Sequence, residues 1–311
     1  VAAKQVFDSE IERVTGIFGA MREGQQPLAA MLDKAARQDA LPEEAELDGE
    51  AERLRREAPE RRAAETALAR LVAKQAAAIS IRKTQFDNRE LPTRLEKAIG
   101  VVSRSAMLRR QQIRRKSQAP LAQLGELLRR ADILAGLLQG ERDVLLSRRK
   151  ESENDLVTFI DHRAEIIDRL RGENGEATTV VDATRRTEHC VEIFQAFLDG
   201  LNTSVGTCHV LLHKLATDTE DLLILYQVVF NAVRRHGDES VKPDTFPNLQ
   251  SQMKRFSDGL LTVHGLDRRR NLADQAFAER FPAEAAAEAA IEARQVAGMR
   301  WPPFGFKLAR S

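Results

Sequence analysis

His209 and His213 stand four residues apart with Cys208 beside them, and a His-x3-His pair on one helical turn is a spacing that supplies two ligands to zinc. A closed site needs a third and usually a fourth ligand. Cys208 falls on an apolar seam from which both histidines point away, and His189 and Cys190 lie too far along the same helix to complete a set. No metal site is expected, and the pair reads as semi-exposed histidines. The Glu-x-x-His pairs of di-iron bundles do not occur.

Other chemistries meet similar obstacles. No GxxxxGK[ST] or GxGxxG sequence is present, and the glycines at 172–176 sit among glutamates that would repel a phosphate. No G-x-S-x-G occurs, and neither Cys190 nor Cys208 has a recognisable Cys/His context for nucleophilic catalysis. The expectation is a protein that is not an enzyme and carries no cofactor.

Two stretches carry chemistry of a binding kind. Arg104, Arg109, Arg110, Arg114, Arg115 and Lys116 are clustered, and Arg129, Arg130, Arg148, Arg149 and Lys150 follow. Arg110 and Arg114 share a helix face. Such a face can touch phosphates of nucleic acid or of anionic lipid, or it can pair with acidic helices of the same chain. The near balance of charge over the whole chain favours internal pairing, and no aromatic residue interleaves the cluster. Arg109, Arg110, Arg114, Arg115 and Lys116 are the candidate contacts for an anion or a partner. The second stretch is the C-terminal WPPFGFKLARS, where Trp301, Phe304 and Phe306 flank Pro302 and Pro303. A polyproline segment with aromatic neighbours can dock in a groove at low entropic cost. Its receptor is either a partner or the chain's own bundle.

The elements that must position these residues are helices. The chain has 311 residues, with 42% hydrophobic, 31% charged and only 5% aromatic side chains. Scarce rings and abundant Ala, Leu, Glu and Arg suit thin helical bundles better than thick layered cores. Net charge is +1, yet residues 81–150 hold 17 Lys/Arg against 7 Asp/Glu, and the acidic excess lies further on. One Trp and one Tyr offer no platform for stacking single-stranded nucleic acid. Two cysteines cannot form a disulfide framework. No run approaches the ~18 apolar residues of a membrane helix and no signal pattern opens the chain, so a soluble, cytoplasmic protein is expected. Its Ala/Arg richness points to a GC-rich bacterial source.

The apolar periodicity sets the architecture. Val191, Phe194, Leu198, Leu201, Val205, Cys208, Leu212, Leu215, Thr219, Leu222, Tyr226, Val229 and Val233 recur in three–four steps without a slip. A continuous helix over 178–235 would be about 85 Å long. Leu212 and Leu215 should be buried on its seam, with His213 and Lys214 facing outward. A second long helix over 120–171 carries two adjacent stripes and must touch more than one neighbour. Phe7, Ile11, Val14, Phe18 and Met21 mark an N-terminal helix that Gly24 and Pro27 should end. Pro59 and Pro92 are expected breaks, and Asp267 to Arg270 an expected charged corner. Pro120, Pro247 and Pro282 suit first helical turns.

The expected fold is therefore all-α, an elongated helical bundle with long, coiled-coil-like helices. Four segments are expected: short helices over 1–40, an Ala/Arg-rich helical stretch over 41–119, the long-helix core over 120–266, and short helices with the aromatic tail over 267–311. The expected function is non-catalytic: a rod-like scaffold or adaptor that meets a protein partner or itself. The alternative is a peripheral binder of anionic membrane or nucleic acid through residues 104–150.

Overall fold

The computed structural model describes residues 2–37, 41–87, 94–117, 120–174, 177–235, 243–257 and 265–299. These residues are helical apart from short connections. The helices are α1 (Ala2–Arg37), α2 (Glu44–Asp87), α3 (Arg94–Val102), α4 (Arg104–Ser117), α5 (Pro120–Asn174), α6 (Ala177–Arg235), α7 (Pro247–Ser257), α8 (Leu266–Arg280) and α9 (Pro282–Met299). The fold is an all-α helical bundle. Pro120, Pro247 and Pro282 each open a helix, where the missing N–H would have no partner in any case.

Two compact units are present, each drawn from two separate stretches of chain: 1–68 with 137–211, and 69–136 with 212–311. In the first, Leu28 and Leu32 of α1, Leu47 of α2, Phe159 and Ile166 of α5, and Phe194 and Phe197 of α6 form a common core. In the second, α2, α5 and α6 give Val72, Leu128 and Leu215, and α8 adds Ala273 and Phe277, all buried. Along α6 the expected seam is buried at Phe194, Leu201, Val205, Cys208, Leu212, Leu215, Thr219, Leu222, Tyr226 and Val229. The α5 stripe is likewise buried at Leu124, Leu128, Ala131, Ala135, Leu138 and Leu145.

Several breaks expected from single residues do not occur. Gly24 and Pro27 do not end the first helix, which continues to Arg37. Its buried positions, Phe18, Gln25, Leu28, Leu32 and Ala35, run in one stripe straight past the proline. Pro59 sits inside α2. Losing one backbone bond there costs roughly 3 kcal/mol, while each fully buried leucine of that helix, such as Leu47 and Leu68, returns roughly 1.5–3 kcal/mol. Asp267 to Arg270 form no corner; they are the first turn of α8, opened by Gly265. Pro92 lies outside the described residues.

Apolar residues at helical spacing run from Leu95 to Ile113, yet Ser103 divides this stretch into two helices. The Ser103 Oγ accepts the Ala106 N–H at 3.3 Å and so caps α4. Met107 then packs over Gly100, where a Cβ would lie 2.7 Å from its Sδ. A side chain at Gly100 would displace the end of Met107, so the bare glycine leaves that thioether room to pack.

Cys190 and Cys208 are buried and unpaired in the first unit. Burial pushes both thiols up to about 12, and at Cys208 the nearby Glu141 and Glu65 add to it. Thiolate is the reactive form. The native protein should therefore give almost no colour with Ellman's reagent at about pH 8, and both thiols should titrate once denaturant opens the bundle. Prompt reaction of either in the native state would mean that the seam is open to solvent.

Candidate functional site

Lys214 was expected to face outward and does not. It is 4% exposed, because the covered arc of α6 here is wider than the seam: Leu211, Leu212, Leu215, Ala216 and Thr217 are buried around it. Helices α8 and α9 cover this second face. Small side chains, Ala278 on α8 and Ala285 and Ala289 on α9, line the space beside the lysine and leave room for carboxylates.

The Lys214 ammonium lies 2.7 Å from Asp274 Oδ1 of α8, 2.9 Å from Glu288 Oε1 of α9 and 3.0 Å from Asp218 Oδ2 on its own helix. The Phe277 ring stands beneath it, 5.8 Å from nitrogen to centroid. Around this knot, Asp221 of α6 takes Lys83 of α2 and Arg270 of α8, the latter at 3.0 Å. Arg269 reaches Glu220 at 3.1 Å, and Arg70 of α2 reaches Glu284 of α9 at 3.1 Å. Lys83, Lys214, Asp218, Asp221, Arg270, Asp274, Phe277 and Glu288 line a cleft of about 440 Å³.

The electrostatics follow from one ammonium meeting three carboxylates. Burial alone would lower Lys214, but the charges of Asp218 and Glu288 and the hydrogen bonds to Asp274 and Glu288 outweigh it and hold the amine above its ordinary value. It stays protonated and is unsuited to attack a carbonyl. One cation cannot satisfy all three acids. Burial therefore pushes Asp218 up to about 6 and Glu288 up to about 7, against the pull of Lys214. Asp221 goes the other way: burial raises it, but hydrogen bonds from Lys83 and Arg270 leave it below the ordinary range. Chemically the knot is a clamp that fastens α8 and α9 to α6 and holds an exchangeable proton near neutrality.

The cationic candidates are placed as follows. Arg109 and Arg110 are exposed on α4. Arg114, Arg115 and Lys116 continue the same helix, and their side chains lie outside the described residues. Of the later cations, Arg129 and Arg130 pair with Glu126, Arg149 with Glu153, and Arg148 donates to Gln25 at 2.7 Å. Trp301, Phe304 and Phe306 lie outside the described residues. Among the described residues no three His, Cys, Asp or Glu side chains converge as metal ligands. Burial lowers His209 and His213, with Arg142 and Arg269 respectively adding to it.

Sequence reasoning missed the clamp because a lone lysine beside a leucine seam reads as a solvent face. The available signal was Lys214-x3-Asp218, an i,i+4 ion pair on one face, together with acids set among alanines in α9. No family model, curated protein or solved structure matches this chain.

Proposed function

We propose that this chain is a non-catalytic interaction protein, a helical scaffold or adaptor that presents helix faces to a partner or to itself. The observation that carries the reading is the reversed amphipathicity of α3. Leu95, Ala98, Val101 and Val102 share its outward side, while its one carboxylate, Glu96, is 1% exposed. A helix that turns its aliphatic side to solvent and its acid inward presents a surface for something else to cover. Ile224 and Val228 form a smaller exposed pair at i,i+4 on α6. The charges of the Lys214 clamp support the same reading, since they are committed to joining helices. Work in a reducing, bacterial cytoplasm belongs to the reading too, supported by two cysteines that lie unpaired in the core.

A photo-activatable phenylalanine at position 102 tests it. Covalent adducts, to a second copy or to another molecule, should form from this position well above those from exposed Lys150. Equal, background-level labelling from both positions would count against a presented face.

A further inference from the structure

We infer that the α3–α4 pair is a docking surface for an anionic membrane, which rests on the interaction reading and names its partner. Residues 94–117 contain eight Lys/Arg and a single acid, Glu96. Since Glu96 is buried, no carboxylate is left on the outer surface of these two helices. Lys97, Arg104, Arg109 and Arg110 are exposed, and no carboxylate among the described residues pairs with them. The aliphatic component is equally exposed: Val101 at 88%, Val102 at 89%, with Leu95 and Leu108 beside them.

Val101 and Val102 sit at the corner where Ser103 separates the two helices, so the most exposed large apolar side chains among the described residues crown a turn flanked by cations. Aliphatic side chains bounded by Lys and Arg match the boundary between acyl chains and anionic headgroups. Contact would be peripheral, since none of the described helices is long and apolar enough to cross a bilayer. Duplex nucleic acid would use the cations but leave the valines in water, and single strands would find no exposed ring on these helices to stack upon. A second copy of α3–α4 would bring like charges together.

The test is flotation with vesicles of phosphatidylcholine containing about a third phosphatidylserine, against pure phosphatidylcholine, at low and physiological salt. The protein should float with the anionic vesicles alone, less at higher salt. Val101→Asp/Val102→Asp should lower the bound fraction roughly tenfold, and Arg109→Gln/Arg110→Gln should also lower it roughly tenfold. Val101→Ser/Val102→Ser, which adds no charge, should give a smaller loss in the same direction. All four side chains are exposed, so helix content and melting should stay as in the parent. Absence of binding to anionic vesicles at low salt overturns the inference. So does retarded migration of duplex DNA that the valine changes leave intact while vesicles do not bind. If vesicles fail but position 102 still labels a second copy or another protein, the membrane is wrong and the interaction reading stands. If both fail, both readings fall.

Discussion

Replacing Lys214 by methionine is expected to cost about 3–5 kcal/mol of stability near pH 8, the range for removing one partner of a buried ion pair. Methionine fills similar volume above Phe277, so packing changes little. What remains is Asp218, Asp274 and Glu288 converging with no cation among them. The penalty should therefore depend on pH. Asp218 and Glu288 bind protons more tightly in the fold than in the open chain, with values of about 6 and about 7. In the parent, stability from these two groups is full at low pH and is lost as pH rises through those values. Acidification from about pH 8 to about pH 5 should thus raise the melting temperature of the second unit. Glu57 and Glu141 of the first unit, both raised mainly by burial, act in the same direction there, while His209 of the first unit and His213 of the second, both lowered by burial, oppose the gain as pH falls through the ordinary histidine range. Asp221, held low by Lys83 and Arg270, turns the curve down again only below the ordinary Asp range.

In the Lys214→Met protein the same protonation removes the uncompensated charge, so the deficit should shrink to less than half near pH 5. Circular-dichroism melts at the two pH values read this directly, and hydrogen exchange in α8 and α9 locates it. A deficit that is the same at both pH values would mean that the loss is of packing and not of charge.

Periodicity carried most of the fold, because a three–four repeat is a property of many residues and no single side chain can cancel it. The α6 seam and the α5 stripe are of that kind. The proline starts at 120, 247 and 282 rest on one residue each and hold, because a first turn has no partner for the missing N–H. Breaks placed on one residue fared worse. Pro27 and Pro59 were given the power to stop helices whose buried stripes continue on both sides. Ser103 received no weight, although a capping hydroxyl three residues from an acceptor-less N–H starts α4. Lys214 was placed outside because heptad phase says which residues meet the first neighbour and nothing about a second. The α8 and α9 helices approach from that second side, and their long-range pairing with Lys214 leaves no local trace beyond Asp218. The basic run was legible as charge alone. That its one acid points inward, and that aliphatic residues crown its corner, are properties of how α3 is turned.

In the first unit, Phe194→Ala should cost about 3–5 kcal/mol, the range for emptying a buried aromatic site. Phe194 is fully buried on α6, with its ring centroid 5.9 Å from that of Phe159 on α5 and tilted 35° to it. Leu28, Leu32 and Leu47 complete the same cluster. Phe159 and Phe197 are themselves fully buried in this cluster, and moving either into the gap would open another where it came from, so the cavity should persist. Phe194→Leu keeps most of the volume and should lose much less, about 1–2 kcal/mol. The Phe159→Leu/Phe194→Leu cycle should then show a coupling of about 0.5–1.5 kcal/mol from the ring–ring contact. Denaturant titration of the five proteins, the parent included, measures all three quantities. Hydrogen exchange over 190–205 should quicken in Phe194→Ala, because these amides belong to the helix that has lost its anchor. A loss below about 1 kcal/mol for Phe194→Ala would place the ring in a site able to collapse, and the first unit would then be held by its leucines.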